Sequence, residues 1–350
     1  MKNPVISYFI WNWNPEIFSL GGLTFRWSAL LLVLAFLAGR QVLLNFYKNE
    51  PATLKQIANL PVFLVVVALI GARLGHLLIF EPAALIAKAH TIIFPFALKP
   101  DFHFLGRNEF SLHGGVVAIL IFLFLYRGRK LGRQNYLQLL DRVSLAAAAI
   151  GVFVFVGSFL NSEIVGKQTR SVTGTVLMAP VAKGLMKVPC CIMRTPDGEN
   201  PLEKVEVKGD PGASRSNSGH MPVILNLFFK QGASQQLAGE FLIGDVKTYL
   251  YDMSLFVYEP GTQPLHYSVL TEKNGTYRAR ISTLGVARHP VQVFEAVVCL
   301  ALFVYFFRYR DKPGVPPGRI FGLVMVLFWT FEFIFGFIKE GQQPVSSVLN

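Results

Sequence analysis

Asn161 and Glu163 close a long apolar run, Leu139 to Leu160, whose charges are Asp141 and Arg142 alone. A carboxamide and a carboxylate where a membrane helix meets water are costly without partners, so they read as functional groups. The plainer reading makes them helix caps facing solvent. Three more clusters lie at or near one end of apolar runs: Gly71-Ala72-Arg73-Leu74-Gly75-His76, His113-Gly114-Gly115 and Arg288-His289-Pro290. Guanidinium forks match phosphate oxygens, so Arg73 and Arg288 could grip a phospholipid phosphate. Arg288 could instead be a snorkelling interfacial residue. Arg73, inside a span, needs a partner, and Glu163 or Asp141 could be it. A lone His113 is more often a satisfied core residue, but the glycines beside it leave room for a ligand or a second helix. No set of His and Cys has the spacing of a tetrahedral zinc site, so neither a metal nor another cofactor is expected.

The elements that must position these groups are membrane spans. The chain of 350 residues is 52% hydrophobic and 15% charged, well under the charged fraction of about 25% usual in soluble domains. Apolar runs predict six spans: Trp27 to Phe46, Leu60 to Phe80, Phe110 to Arg127, the run ending in Leu160, Val291 to Phe307, and Ile320 to Ile338. Each approaches the roughly 20 residues that cross ~30 Å of hydrocarbon. The net charge of +12 sits beside these runs, in Arg40/Lys48/Lys55, Arg127/Arg129/Lys130/Arg133 and Arg308/Arg310/Lys312. That pattern argues for cytoplasmic loops and anionic lipid heads, and against nucleic acid. The termini and the long segment 167–287 then face the opposite side.

That segment reads as a soluble α+β head. Lys204 to Lys208 alternates like a half-buried strand, and Pro222 to Phe229 is a compact apolar strand. Ser234 could cap a helix from Gln235 to Tyr251, and Asn274-Gly275 marks a hairpin. The fold class expected is thus a polytopic α-helical membrane protein with an α+β head. Its parts are 1–166 with four spans, 167–287 as the head, and 288–350 with two spans. Cys190, Cys191 and Cys299 form no disulfide framework, and the first residues lack the apolar core of a cleavable signal peptide.

The segment Gly157 to Gly166 resembles the signature of the prolipoprotein diacylglyceryl transferases, with Gly157, Phe159, Asn161, Glu163 and Gly166 matching. His113-Gly114-Gly115, the Arg288-His289-Pro290-Val291-Gln292 motif with Glu295, and Asn14 to Gly22 with Arg26-Trp27 are similar to further motifs of that family. The Gly71 to His76 run and the long head resemble its Bacteroidota version. The resemblance implies an inner-membrane enzyme with a periplasmic head. Such an enzyme moves diacylglycerol from phosphatidylglycerol to the lipobox cysteine of a prolipoprotein. It implies His113 as base for the thiol, with Asn161 and Glu163 in the catalytic set, and Arg73, Arg288, Gly114, Gly115, Gly166 and His76 around the lipid.

The sequence also departs from the family. The family's tyrosine falls on Ser28, its signature arginine on Phe155 and an asparagine on Ser158. A last-span arginine and the glutamate after it fall on Glu332 and Gly336. A seventh span following a Met-Gly-Gln motif has no counterpart before Asn350. The expectation is a degenerate member that binds phospholipid or lipoprotein signal segments, within a larger membrane complex, with an active transferase as the alternative. A transporter is disfavoured, because the ionisable groups gather at span ends rather than along a path.

Overall fold

In the computed structural model the described residues are 8–20, 23–48, 57–80, 96–97, 103–104, 111–130, 135–190, 199–210 and 219–341. Cys191, Lys55, Arg133 and the linker 211–218 lie outside them. Long helices dominate: α1 (Trp27–Phe46), α2 (Leu60–Phe80), α3 (Leu112–Lys130) and α4 (Tyr136–Leu160). Two more, α8 (Val291–Tyr309) and α9 (Arg319–Gly336), follow a region of strands and short helices. Five of these are long and apolar enough to cross a membrane, and α3 carries the shorter apolar stretch His113–Arg127. Leu32, Ile79, Leu125 and Phe333 are more than half exposed. In water such rows would make an aggregating surface; against lipid they cost nothing. The protein is a polytopic helical membrane protein.

The chain divides into two compact units: residues 1–32, 154–297 and 331–350 form the first, and 33–153 with 298–330 the second. The first unit holds a sheet of seven strands. Its backbone is β11 (Tyr277–Arg288), flanked by β8 (His220–Phe229), β10 (Tyr267–Thr271), the two-residue β9 (Val257–Tyr258) and β6 (Thr175–Leu177). β7 (Leu202–Gly209) lies outside β8, and β1 (Phe9–Trp11) runs parallel to β6. Leu225, Leu227, Phe229, Ala279 and Ile281 alternate inward onto Phe241, Leu242 and Leu250. Two short hairpins form two-stranded sheets of their own, β2–β3 (Glu16–Leu20 with Leu23–Arg26) in this unit and β4–β5 (Phe96–Ala97 with His103–Phe104) in the second.

The local signals of this unit hold well. Ser234 accepts the Leu237 amide at 3.1 Å and starts α6 (Gln235–Phe241), after the earlier short helix α5 (Ala179–Leu185). Gly275, at φ +79, turns β10 into β11. The expected single helix to Tyr251 is instead interrupted by a π turn, Leu242–Val246, before α7 (Lys247–Asp252). The Thr248 hydroxyl takes the Gly244 carbonyl at 2.8 Å, a side-chain bond that competes with the regular ladder.

In the second unit, α1, α4, α8 and α9 bury Leu43, Leu145, Leu302 and Val324 together. Asp141 accepts the Gly318 and Phe321 amides, each at 2.7 Å, so the one acid of α4 caps the start of α9. This is where the Asp141 carboxylate is spent.

Candidate functional site

The signature segment begins with the last turn of α4. Ser162 has φ +52, a left-handed conformation unusual for a residue with a Cβ. That turn folds Glu163 back on the helix end. Its carboxylate accepts the Ser158 hydroxyl at 2.7 Å and the Asn161 carboxamide at 3.1 Å. Thus Ser158, a departure from the family pattern, is fastened to Glu163. Asn161 Oδ1 is buried with no hydrogen-bond partner among the described residues. Gly157 lies close to Ser28, where a Cβ would meet Ser28 Cα at 3.5 Å. Phe159 meets Trp11 with ring centroids 4.7 Å apart and planes tilted by 41°. Phe155 is half-buried.

From Val165 to Lys167 the chain becomes one side of a small ladder. Lys167 donates to the Ile338 carbonyl at 2.7 Å, and Glu340 donates to the Val165 carbonyl at 3.0 Å. On the other side His289 donates to the Lys167 carbonyl at 3.1 Å. A Cβ on Gly166 would stand 2.2 Å from the His289 oxygen, so only glycine fits. Gln292 donates to the Ile164 carbonyl at 2.7 Å.

Arg288 is 7% exposed. Its Nη1 donates to the Gly166 carbonyl at 3.0 Å and to Glu340 at 2.8 Å, and its Nε donates to the Leu255 carbonyl. Burial draws its guanidinium below the usual range while the Glu340 carboxylate holds it up. Burial likewise lowers His289. Seven residues beyond Glu332, the same ladder presents Lys339. Its ammonium lies 2.5 Å from Glu295 and 2.9 Å from Glu332. Burial lowers the Lys339 pKa, but the two carboxylates more than offset this and raise it overall, so Lys339 stays charged. Gly336 is exposed, with nothing within 4 Å of an added Cβ.

The second unit holds the other residues. Arg73 is 4% exposed on α2, with His76 half-buried on the next turn. The glycines are a helix–helix seam. A Cβ on Gly71 would stand 2.1 Å from Ala118 Cβ, on Gly75 2.6 Å from Gly114 Cα, and on Gly114 2.4 Å from the Gly71 oxygen. Gly115 is looser, with its Cβ position 3.2 Å from the Ala68 oxygen. The paired glycines therefore serve the approach of a second helix. His113, in the first turn of α3, is exposed and stacks on Trp329 with ring centroids 6.0 Å apart and planes 17° apart. Among the described residues no group of three or more His, Cys, Asp or Glu could hold a metal ion.

Of the groups singled out from the sequence, Ser158, Asn161 and Glu163 meet directly, as do Gly166 and Arg288. Lys339 and Glu340 were not singled out. The only signal for them is a charged pair directly after the last apolar run.

Membrane-spanning helices, with a buried arginine on one of them and a glycine seam between two, define a helical membrane protein. Residues 15–349 match the model of the prolipoprotein diacylglyceryl transferase family, and the chain belongs to that family. It is similar to the phosphatidylglycerol–prolipoprotein diacylglyceryl transferase of Tolumonas auensis, 31% identical over 47% of this chain and 60% of the relative. The protein of that name from Chloroherpeton thalassium is 31% identical over 47% of this chain and 57% of the relative. That from Bacteroides fragilis is 30% identical over 48% and 61%. The chain thus spans about 60% of the length of the curated relatives it matches.

Proposed function

We propose that this chain binds phosphatidylglycerol or a related phospholipid through the family site but transfers diacylglycerol poorly or not at all. The observation that carries the reading is the Glu295–Lys339–Glu332 cluster. Where the family resemblance calls for an arginine, this chain has a glutamate, and that glutamate is held by a lysine of its own chain. The transfer reaction needs a base for the lipobox thiol and cations for the glycerol phosphate leaving group. His113 is available for the first. For the second, Phe155 cannot donate a hydrogen bond, Glu332 has the wrong sign, and Arg288 is committed to two carbonyls and Glu340. Arg73, buried on α2, is the cation that the family resemblance places at the lipid phosphate.

Losing one preorganised donor typically costs roughly 10²–10³ in rate. With lipobox peptide and phosphatidylglycerol, the purified chain should work at least ~10²-fold more slowly than the Bacteroides fragilis transferase under the same conditions. Equal rates would refute the reading. The retained Asn161–Glu163 pair favours the second reading, an active transferase with a rearranged site, and the same assay decides between them.

The orientation that fits this function puts six spans in the inner membrane, with residues 167–287 periplasmic and the basic loops cytoplasmic. Interaction with prolipoprotein signal segments or other membrane subunits would use the periplasmic side. Labelling of intact cells with an impermeant thiol reagent should reach Lys273→Cys and not Pro313→Cys. The opposite pattern would reverse the orientation.

A further inference from the structure

A second candidate ligand site lies in the second unit, where α1 and α8 end and α4 begins. Arg310 and Arg142 share the ring of Phe46. The Arg310 Cζ is 4.4 Å from the Phe46 centroid and 3.7 Å from Phe307, and the Arg142 Cζ is 5.7 Å from Phe46 and 4.2 Å from Tyr47. Stacking of this kind uses the flat face of the guanidinium and leaves the N–H edge to bond elsewhere. Yet Nη1 of each arginine is buried with no hydrogen-bond partner among the described residues. Two like charges held on one ring repel unless an anion lies between or beside them. Among the described residues the neighbouring acids do not serve. Asp141 gives both oxygens to the α9 amides, and Asp311 meets only the Arg310 Nε, at 3.3 Å, from a side chain that is 76% exposed.

We propose that Arg142 and Arg310 together bind a phosphate group, carried by an anionic phospholipid headgroup or free in solution. Planar N–H edges match phosphate oxygens, and the aromatic faces fix both guanidinium planes before the ligand arrives. The lipid is favoured by what stands beside the pair. Val304 and Tyr305, on α8 just before Arg310, are 39% and 62% exposed, an apolar flank for an acyl chain. Basic pockets between membrane helices are known to take such headgroups. This site is independent of the transferase site and holds whether or not that site turns over.

The test is native mass spectrometry of the full chain in detergent, after exchange with phosphatidylglycerol or phosphatidylcholine, beside a thermal-shift arm with inorganic phosphate. The wild type should retain one more phosphatidylglycerol than Arg142→Gln/Arg310→Gln, which should bind that lipid at least about tenfold more weakly, and phosphatidylcholine should not distinguish them. Neither substitution touches Arg73 or His113, so lipid held at the transferase site is common to both chains. If phosphatidylglycerol does not distinguish them but inorganic phosphate stabilises only the wild type, the site stands and its ligand is free phosphate. Arg142→Lys/Arg310→Lys keeps the charge while losing the planar fork, and should retain the anion several-fold less well than wild type; it serves if the glutamine variant misfolds. Equal lipid counts and equal phosphate response in wild type and a folded variant would overturn the proposal.

Discussion

Replacing Lys339 with methionine is expected to destabilise the protein by about 3 kcal/mol, the lower end of the cost of orphaning a buried charge. Glu295, whose side chain is 1% exposed, would lose its cation while still facing Glu332. The lower end applies because Lys339 itself is 23% exposed, which lets water reach the pair. The double variant Lys339→Met/Glu295→Gln should recover most of the loss, since it removes the stranded charge as well as its partner. Glu332→Gln alone should matter less, because Glu332 is 20% exposed and Lys339 keeps Glu295. Thermal unfolding in detergent reads all three. A Lys339→Met protein within about 0.5 kcal/mol of wild type, the range of ordinary surface substitutions, would show that the cluster carries no structural weight.

Gly166→Ala is the second large effect. The new methyl would stand 2.2 Å from the His289 carbonyl oxygen and 2.9 Å from its Cβ, both on the main body of a neighbouring chain segment. Relief requires the backbone to part, which breaks the Lys167–His289 and Arg288–Gly166 bonds. A cost of about 3 kcal/mol, at the top of the overpacking range, is expected. Gly336→Ala is the matched control. It meets nothing and removes a helix glycine, so it should be neutral or stabilising by up to about 1 kcal/mol. Comparable stability of the two variants, measured by thermal unfolding, would contradict the close contact at Gly166.

Much of this architecture was legible because membrane helices announce themselves locally. α1 and α2 run over the residues that the apolar runs delimit, and the sixth begins at Arg319, one residue before the run. Charged residues bound each run, and burial in lipid tolerates no ambiguity about where they stop. The Ser234 cap and the Asn274-Gly275 turn were equally visible, since each rests on a few adjacent residues. What could not be read was pairing at long range. Phe9–Trp11 joins β6 across more than 160 positions of sequence, and the Ile338–Glu340 tail joins Val165–Lys167 across a similar gap. No local periodicity encodes such a partner. The Gly71–Gly75–Gly114 seam explains why those glycines are needed without any ligand. The Arg288 motif was visible as chemistry, but its partners Gly166, Leu255 and Glu340 were not. The departure at Glu332 was plain from the sequence, whereas the lysine that accommodates it came only from the fold.

The central claim is that the family site here binds lipid without efficient transfer. The most direct measurement is complementation: this chain, expressed and membrane-inserted, in a bacterial strain depleted of its own prolipoprotein diacylglyceryl transferase. The account predicts no restored growth and accumulation of unmodified prolipoprotein, with Phe155→Arg/Ser158→Asn/Glu332→Arg restoring a trace at most. Growth and prolipoprotein lipidation at the level given by the Bacteroides fragilis enzyme would contradict it.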